Sequence, residues 1–258
     1  MSTQSAKIYL RACAGFANRL RATVSGICAA EEAGRAIQIS WPYERAFVGN
    51  FQEFFDMEAS QLPSWVTFDQ QMDSSKAEVL CLTPEDWHAQ AKNTGPIHIK
   101  SYAKFYQTAR YDFWLRSLKP RREFVERVEE IFRGKPPVGI HIRRTDHWRC
   151  IAESPTGEFV RIMDQYPPGT VFFVASDSDE ERIVLRAKYS PARILTGATI
   201  LDRTMTVGTK HAFVDFLALS RCSEIVGSWT SSFSEMAAAY GDVPLRFARA
   251  AAAAAAAP

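Results

Sequence analysis

From residue 138 to residue 240, strand-length apolar runs alternate with helix-length amphipathic runs. Val138–Ile142 reads as a strand, Glu158–Gln165 as a helix, Val171–Ala175 as a strand and Asp179–Lys188 as a helix. Arg193–Leu195, Lys210–Ser220, Glu224–Gly227 and Phe233–Tyr240 continue the series as strand, helix, strand and helix. A parallel strand pair needs a crossover of helical length, so this spacing predicts a doubly wound parallel sheet. In such a sheet ligands sit outside the carboxyl ends of the strands, which is where polar residues deserve a functional reading.

A second α/β unit precedes it. Lys7–Ala12 alternates as a strand, a small-residue loop Ala14-Gly15-Phe16-Ala17 follows, and Asn18 is placed as the cap of a helix that Gly34 stops. Ala36–Ser40 returns as a strand ended by Trp41-Pro42, completing a βαβ start. Residues 43 to 110 mix aromatics, prolines and polar stretches, with candidate strands at Val79–Leu82 and Ile97–Lys100 and no order that periodicity fixes. Arg121–Arg133 is an amphipathic helix, and Gly134-Lys135-Pro136-Pro137 after it marks the expected domain boundary. The expected division is 1–134, 135–247 and an alanine-rich tail, 248–258.

Composition narrows the function classes. Thirty-one basic against 29 acidic side chains leave a formal charge of +2, without the basic excess of a dedicated nucleic-acid binder. The five cysteines are scattered and form no CxxC pair, which suits reduced thiols. No N-terminal signal pattern and no apolar run of roughly 18 residues is present. The expectation is therefore a cytoplasmic protein without a transmembrane segment. GxGxxG, Walker, HExxH and Ser-His-Asp patterns are missing too, which removes many dehydrogenase, NTPase, zinc-protease and hydrolase readings.

Three strand ends carry candidate chemistry. His141-Ile142-Arg143-Arg144-Thr145-Asp146 leaves a buried strand with polar residues that need partners. An arginine there suits a phosphate, because its planar fork donates parallel hydrogen bonds. The plainer reading is an Arg144–Asp146 surface ion pair. Ser176-Asp177-Ser178-Asp179 offers acidic capping of the next helix, a DxD metal site, or a carboxylate beside a bound base. The metal reading is set aside because Asp179 fits the first turn of that helix. Ser231-Ser232-Phe233-Ser234-Glu235 contains an S-x-x-E capping box at Ser232, and hydroxyls before a helix start suit a phosphate. Asp215, within the apolar run 214–219, is either a surface member of an amphipathic helix, the commoner case, or a binder. Arg19 and Arg21 read as a solvated face; equally, the small-residue loop with Gly15, and Asn18, read as the lining of an inter-domain cleft opposite His141.

Taken jointly these segments resemble the fucosyltransferase superfamily, which includes α1,6-fucosyltransferases, rhizobial chitooligosaccharide fucosyltransferases and protein O-fucosyltransferases. The resemblance rests on His141–Asp146, Phe173–Asp177, Asp215–Ser220 and Ser231-Ser232 in that order, with a looser likeness at Gly15–Asn18. It implies a GT-B architecture, two Rossmann-like domains facing a cleft, and an inverting, metal-independent transfer of fucose from GDP-fucose to a glycan or protein hydroxyl. By position, Arg143 would bind the β-phosphate and His141 the donor beside it, within a donor-binding set that also takes in Arg144 and Asp146. Asp215 would accept from guanine N1–H and the 2-amino group, Asp177 would lie near the nucleoside, and Ser231 and Ser232 near the diphosphate. Gly15 and Asn18 would face the donor from the first domain.

This chain departs from the family where a lysine is replaced by His147, where the base glutamate is replaced by Ile151, and where a glutamine is replaced by Phe233. The nearest carboxylate to the base position is Glu153, which becomes the expected general base. Rival expectations are a different nucleotide-linked sugar such as rhamnose, a metal-dependent transferase through Asp177 and Asp179, and a non-catalytic nucleotide-sugar binder. The expected partners are a nucleotide sugar and a glycan acceptor, with no nucleic acid, no cofactor and no metal. The sequence leaves acceptor identity and oligomeric state open.

Overall fold

The computed structural model describes residues 6–70, 76–145, 148–197, 200–202 and 204–250. Its contacts divide the chain into two units, Met1–Arg121 with Arg203–Thr209, and Arg122–Asp202 with Lys210–Pro258. The helix near 121–133, assigned from sequence to the N-terminal domain, therefore groups with the second unit.

The first unit runs β1 (Ile8–Ala12), α1 (Phe16–Ala33), β2 (Ile37–Ser40), α2 (Phe51–Phe54), β3 (Phe55–Asp56), α3 (Met57–Ser60), β4 (Val66–Phe68), β5 (Val79–Leu80), α4 (Pro84–Ala91), β6 (Ile97–Ser101), α5 (Tyr111–Ser117) and β7 (Lys119–Pro120). Five of its strands form a parallel sheet in the order β4-β2-β1-β6-β5. Alternate residues of β1 and β6 are buried, and α1 lies close enough that a side chain at Gly26 would meet Leu10. Gly34 ends α1 in the left-handed region at φ 62°, and its N–H bonds back to the carbonyls of Ala30 and Glu31. The stretch that periodicity could not order is held by aromatic contacts instead. Phe16, Trp41, Phe47, Phe51, Phe54 and Phe55 pack edge-on, stacked or tilted at centroid distances of 4.7–6.5 Å.

The second unit runs α6 (Arg122–Phe132), β8 (Val138–Ile142), α7 (Trp148–Glu153), α8 (Thr156–Met163), β9 (Phe172–Ser176), α9 (Asp179–Tyr189), β10 (Ile194–Leu195), α10 (Thr206–Leu219, of which Thr206–Thr209 group with the first unit), β11 (Ile225–Ser228), α11 (Ser232–Gly241) and β12 (Leu245–Ala248). Its parallel sheet has the order β10-β9-β8-β11-β12. Every residue of β8, β9 and β11 is buried, as expected of strands covered on both faces. On one face Phe159, Ile162 and Met163 of α8 and Leu185 and Tyr189 of α9 pack on Ile140, Ile142 and Val174. On the other, Phe132 of α6 meets Phe173, Phe233 of α11 meets His141, and Phe216 of α10 meets Phe233.

The strand β12 escaped the sequence reading, and the alanine tail begins inside it at Ala248. Residues 251–258 lie outside the described residues. All five cysteines are buried and free. Both sheets are parallel and Rossmann-like, as the strand–helix alternation implies. In the second, the order reverses between β8 and β11, the switch point at which ligands bind sheets of this kind.

Candidate functional site

Two chain segments meet at that switch point. The register pairs His141 with Gly227, so Ser228 stands opposite the residues that leave β8. Its hydroxyl oxygen accepts the Arg143 N–H at 3.0 Å and donates to the His141 carbonyl at 3.3 Å. Gly227 permits this close arrangement, since a side chain there would stand 2.7 Å from Cβ of Ser234 in α11.

His141 is 5% exposed and stacks on Phe233 at 5.0 Å. Its Nδ1 has no hydrogen-bond partner among the described residues. Burial, assisted by the Arg143 charge and opposed by Asp177, pushes its pKa down to about 3, so the ring is neutral at physiological pH.

Asp177 follows the end of β9 and stitches the loop after β8 in place. One carboxylate oxygen accepts the Arg144 N–H at 2.7 Å. The other accepts the Thr145 N–H and hydroxyl at 3.3 and 2.7 Å and pairs with Nη1 of Arg143 at 2.8 Å. Burial works against the ionised form, but Arg143 and the hydrogen bonds from residues 144 and 145 outweigh it and hold the carboxyl below its ordinary range. Asp179 does fall in the acidic first turn of α9, with Ser178 at the cap, while Asp177 reaches across to the neighbouring strand end. Asp179, the other half of the DxD pair, approaches Arg182 at 3.5 Å.

The Arg144–Asp146 pair read from the sequence lies outside the described residues, as do Asp146 and His147 themselves, and Arg144 has a further partner. It is bound to Glu181 at 2.6 Å, and Thr156 donates to that same carboxylate at 2.8 Å. Arg143 is left with 21% of its side chain in solvent, its backbone and guanidinium both anchored.

The loop between β11 and α11 is also built around this point. Trp229 N–H donates to the Ser154 hydroxyl at 2.8 Å, and its carbonyl accepts the Cys150 thiol at 3.0 Å. Thr230 sits at φ 61°, a left-handed conformation that costs a β-branched residue about 1–3 kcal/mol. Ser231 is the cap residue of α11 and Ser232 its first residue, so the S-x-x-E box read from the sequence is one position out of register.

Asp215 is buried in α10, at 5% exposure, which overturns the commoner surface reading. It pairs with Arg182 at 3.4 Å, and Arg182 also donates to the Ser176 carbonyl at 2.8 Å. A side chain at Gly197 would come within 2.6 Å of the Asp215 carboxylate, so that carboxylate lies hard against the backbone after β10. Glu153 is held by Arg249 at 2.9 Å, and its carbonyl accepts the Ala250 N–H at 2.9 Å.

In the first unit Gly15, in extended conformation, is the cap of α1, and Asn18 falls inside the helix rather than at its cap. Ala14 before it has φ 66°. Arg19 is not solvated: it is wholly buried, donating to the carbonyls of Ala14 and Pro42 at 2.7 Å and pairing with Glu44 at 3.1 Å. Burial lowers its pKa to about 10 against the pull of Glu44. Arg21 donates to the Tyr102 carbonyl at 2.9 Å.

Ser228, Cys150, Glu181, Arg182 and Thr230 were not singled out from sequence. Ser228 had a usable signal, because a polar residue ending the strand beside His141 must face the same mouth. The others are brought in by contacts that no local pattern encodes.

No protein-family model and no curated protein matches this sequence. Solved structures do match in fold. The fucosyltransferase NodZ from Bradyrhizobium superposes with a TM-score of 0.66 at 16% identity, over 91% of this chain and 93% of that one. The NodZ α-1,6-fucosyltransferase co-crystallised with GDP gives 0.65 at 16% identity, over 91% and 92%. POFUT1 in complex with GDP-fucose gives 0.62 at 13% identity, over 95% and 98%. The chain therefore has the two-sheet α/β fold of these fucosyltransferases.

Proposed function

We propose that this chain is an inverting, metal-independent glycosyltransferase that moves fucose from GDP-fucose to a hydroxyl of a glycan or protein. One observation carries the reading: Arg143 stands at the switch point, anchored by Ser228 and Asp177, beside a buried imidazole whose Nδ1 has no partner among the described residues. A guanidinium so fixed suits charge that appears on a leaving diphosphate.

The acceptor oxygen attacks the anomeric carbon while the bond from that carbon to the β-phosphate oxygen breaks. The bonding pair leaves with GDP, and the acceptor proton passes to a base. Arg143 meets the developing negative charge, helped by the first N–H groups of α11 beside Ser231 and Ser232, which have no acceptor within the helix. Asp215 accepts from guanine, and His141 contacts the donor through Nδ1. Asp177 takes the role of holding Arg143, and Arg144, committed to Glu181, that of shaping the loop.

In this reading Glu153 is the base. The observation that favours a second reading, nucleotide-sugar binding without transfer, is that the Glu153 carboxylate already accepts from Arg249. Calorimetry with GDP, UDP and dTDP and their sugars, with and without EDTA, tests the donor class and the metal independence together. Arg143→Ala is expected to lose roughly 10²–10³ in turnover with GDP-fucose. Near-full activity in that variant defeats the assignment. Tight GDP binding without transfer or hydrolysis selects the second reading.

A further inference from the structure

The chain passes from β11 to α11 in a single tight turn. Ser231 N–H donates to the Ser228 carbonyl at 3.2 Å, with Trp229 and Thr230 at the centre. Thr230, the third residue of the turn, has φ 61°, a value that type II turns reserve for glycine or asparagine. In a type I turn, which most residues accept, that position has φ near about −90°. The two types interchange when the peptide unit between the central residues turns over. Thr230 is exposed, so burial of its side chain does not offset the strain. A strained residue of this kind persists only where its surroundings hold it.

Helix α7 supplies the hold. The carbonyl of the central peptide unit is that of Trp229, and the buried Cys150 thiol donates to it at 3.0 Å. The Thr230 hydroxyl bonds the same sulfur. Ser154, fully buried just past α7, accepts the Trp229 N–H at 2.8 Å. Both peptide units flanking Trp229 are therefore gripped from one element, and the central one cannot turn over without breaking the Cys150 bond.

What the turn joins gives it a consequence. At one end Ser228 fixes the Arg143 N–H. At the other Ser231 begins α11, whose second residue, Phe233, stacks on His141 at 5.0 Å. We infer that Cys150 and Ser154 are positioning residues: they hold the Trp229-Thr230 turn in its strained form and so fix the start of α11 beside Arg143. This rests on the reading of that helix start as part of a diphosphate site.

The test compares wild type, Cys150→Ala, Ser154→Ala, Thr230→Gly, and each alanine variant combined with Thr230→Gly. Hydrogen exchange by NMR gives the protection factor of the Ser231 N–H, and calorimetry gives the affinity for GDP. Each alanine variant is expected to lower both by about tenfold. Adding Thr230→Gly should return both to within about threefold of wild type, because glycine takes a positive φ without being held. A role in packing alone predicts that the loss persists in the combined variants, and that result overturns the inference. Unchanged Ser231 protection in both alanine variants overturns it as well, as does protection that falls while GDP affinity stays the same. If protection falls and recovers but wild type binds no GDP, the donor reading fails and the hold on the turn stands.

Discussion

Replacing His141 by glutamine removes one titrating group and should flatten the acid limb of the stability profile. In the native protein the imidazole is buried under Phe233 and beside Arg143, with its pKa pushed from 6.5 to about 3. Unfolding returns it to water. Between these two values the unfolded chain binds a proton that the folded one does not, so stability falls as pH drops through 6.5 and stops falling near 3. At pH 5.5, one unit below the ordinary imidazole value, the unfolded side chain is roughly 90% protonated and the loss relative to pH 7.5 is about 1.4 kcal/mol. Asp177 does not disturb the comparison. Its carboxyl is held below its ordinary range, so its stabilising contribution is present at both pH values and is lost only in stronger acid. Urea unfolding of the second unit at pH 7.5 and 5.5, followed in wild type and His141→Gln, measures the difference. Glutamine lowers stability at both pH values, but the pH-dependent part attributable to position 141 should vanish. Equal pH dependence in the two proteins would refute a neutral, buried imidazole at this position.

Asp177→Asn replaces the acceptor that Arg143 and the Arg144 and Thr145 N–H groups share by an amide with one oxygen. With the pair 21% and 13% exposed, the expected cost is about 2–3 kcal/mol of stability by urea unfolding, along with weaker GDP binding by calorimetry. Unchanged stability would mean the loop is held by something else. Gly241→Ala puts a Cβ 1.8 Å from the Ser220 carbonyl oxygen, which nothing flexible can relieve. A loss of about 3 kcal/mol or more, and a fall in melting temperature of about 6 °C or more, is expected by calorimetry, whereas Gly157→Ala, with open space around it, serves as the neutral control.

What the chain declares in one dimension follows from how its elements are buried. Val138–Ile142 is covered on both sides, so it is an unbroken apolar run, and its limits could be read to the residue. Helices α6, α8 and α9 announce themselves by one apolar stripe each, whereas the six-residue α7 is too short to show a period and escaped the sequence reading. In the first unit α2, β3, α3 and β4 are two to four residues long, and an aromatic cluster holds them; no period can arise in so few residues. The edge strand β12 runs into alanines and has no turn signal behind it. Arg143 and Asp215 could be proposed from sequence because they belong to motifs, and both take anchored or buried positions. The partners of Asp177 could not be read from sequence, because they stand 32 and 33 residues earlier, beyond the reach of any local rule. Glu153 was chosen as the carboxylate nearest to Ile151, and its partner Arg249 follows directly on a strand that had not been recognised.

The bond from Arg143 to Ser228 spans 85 residues. A polypeptide emerging in order exposes the arginine motif long before the serine that fixes its backbone exists. Until the last crossover has brought β11 alongside β8, the guanidinium hangs from a loose end, and the entropy of closing so long a loop must be met first. The anchored arrangement is therefore completed late in assembly of this unit, and any nascent or clipped product ending before position 228 carries the arginine motif without the serine that fixes it.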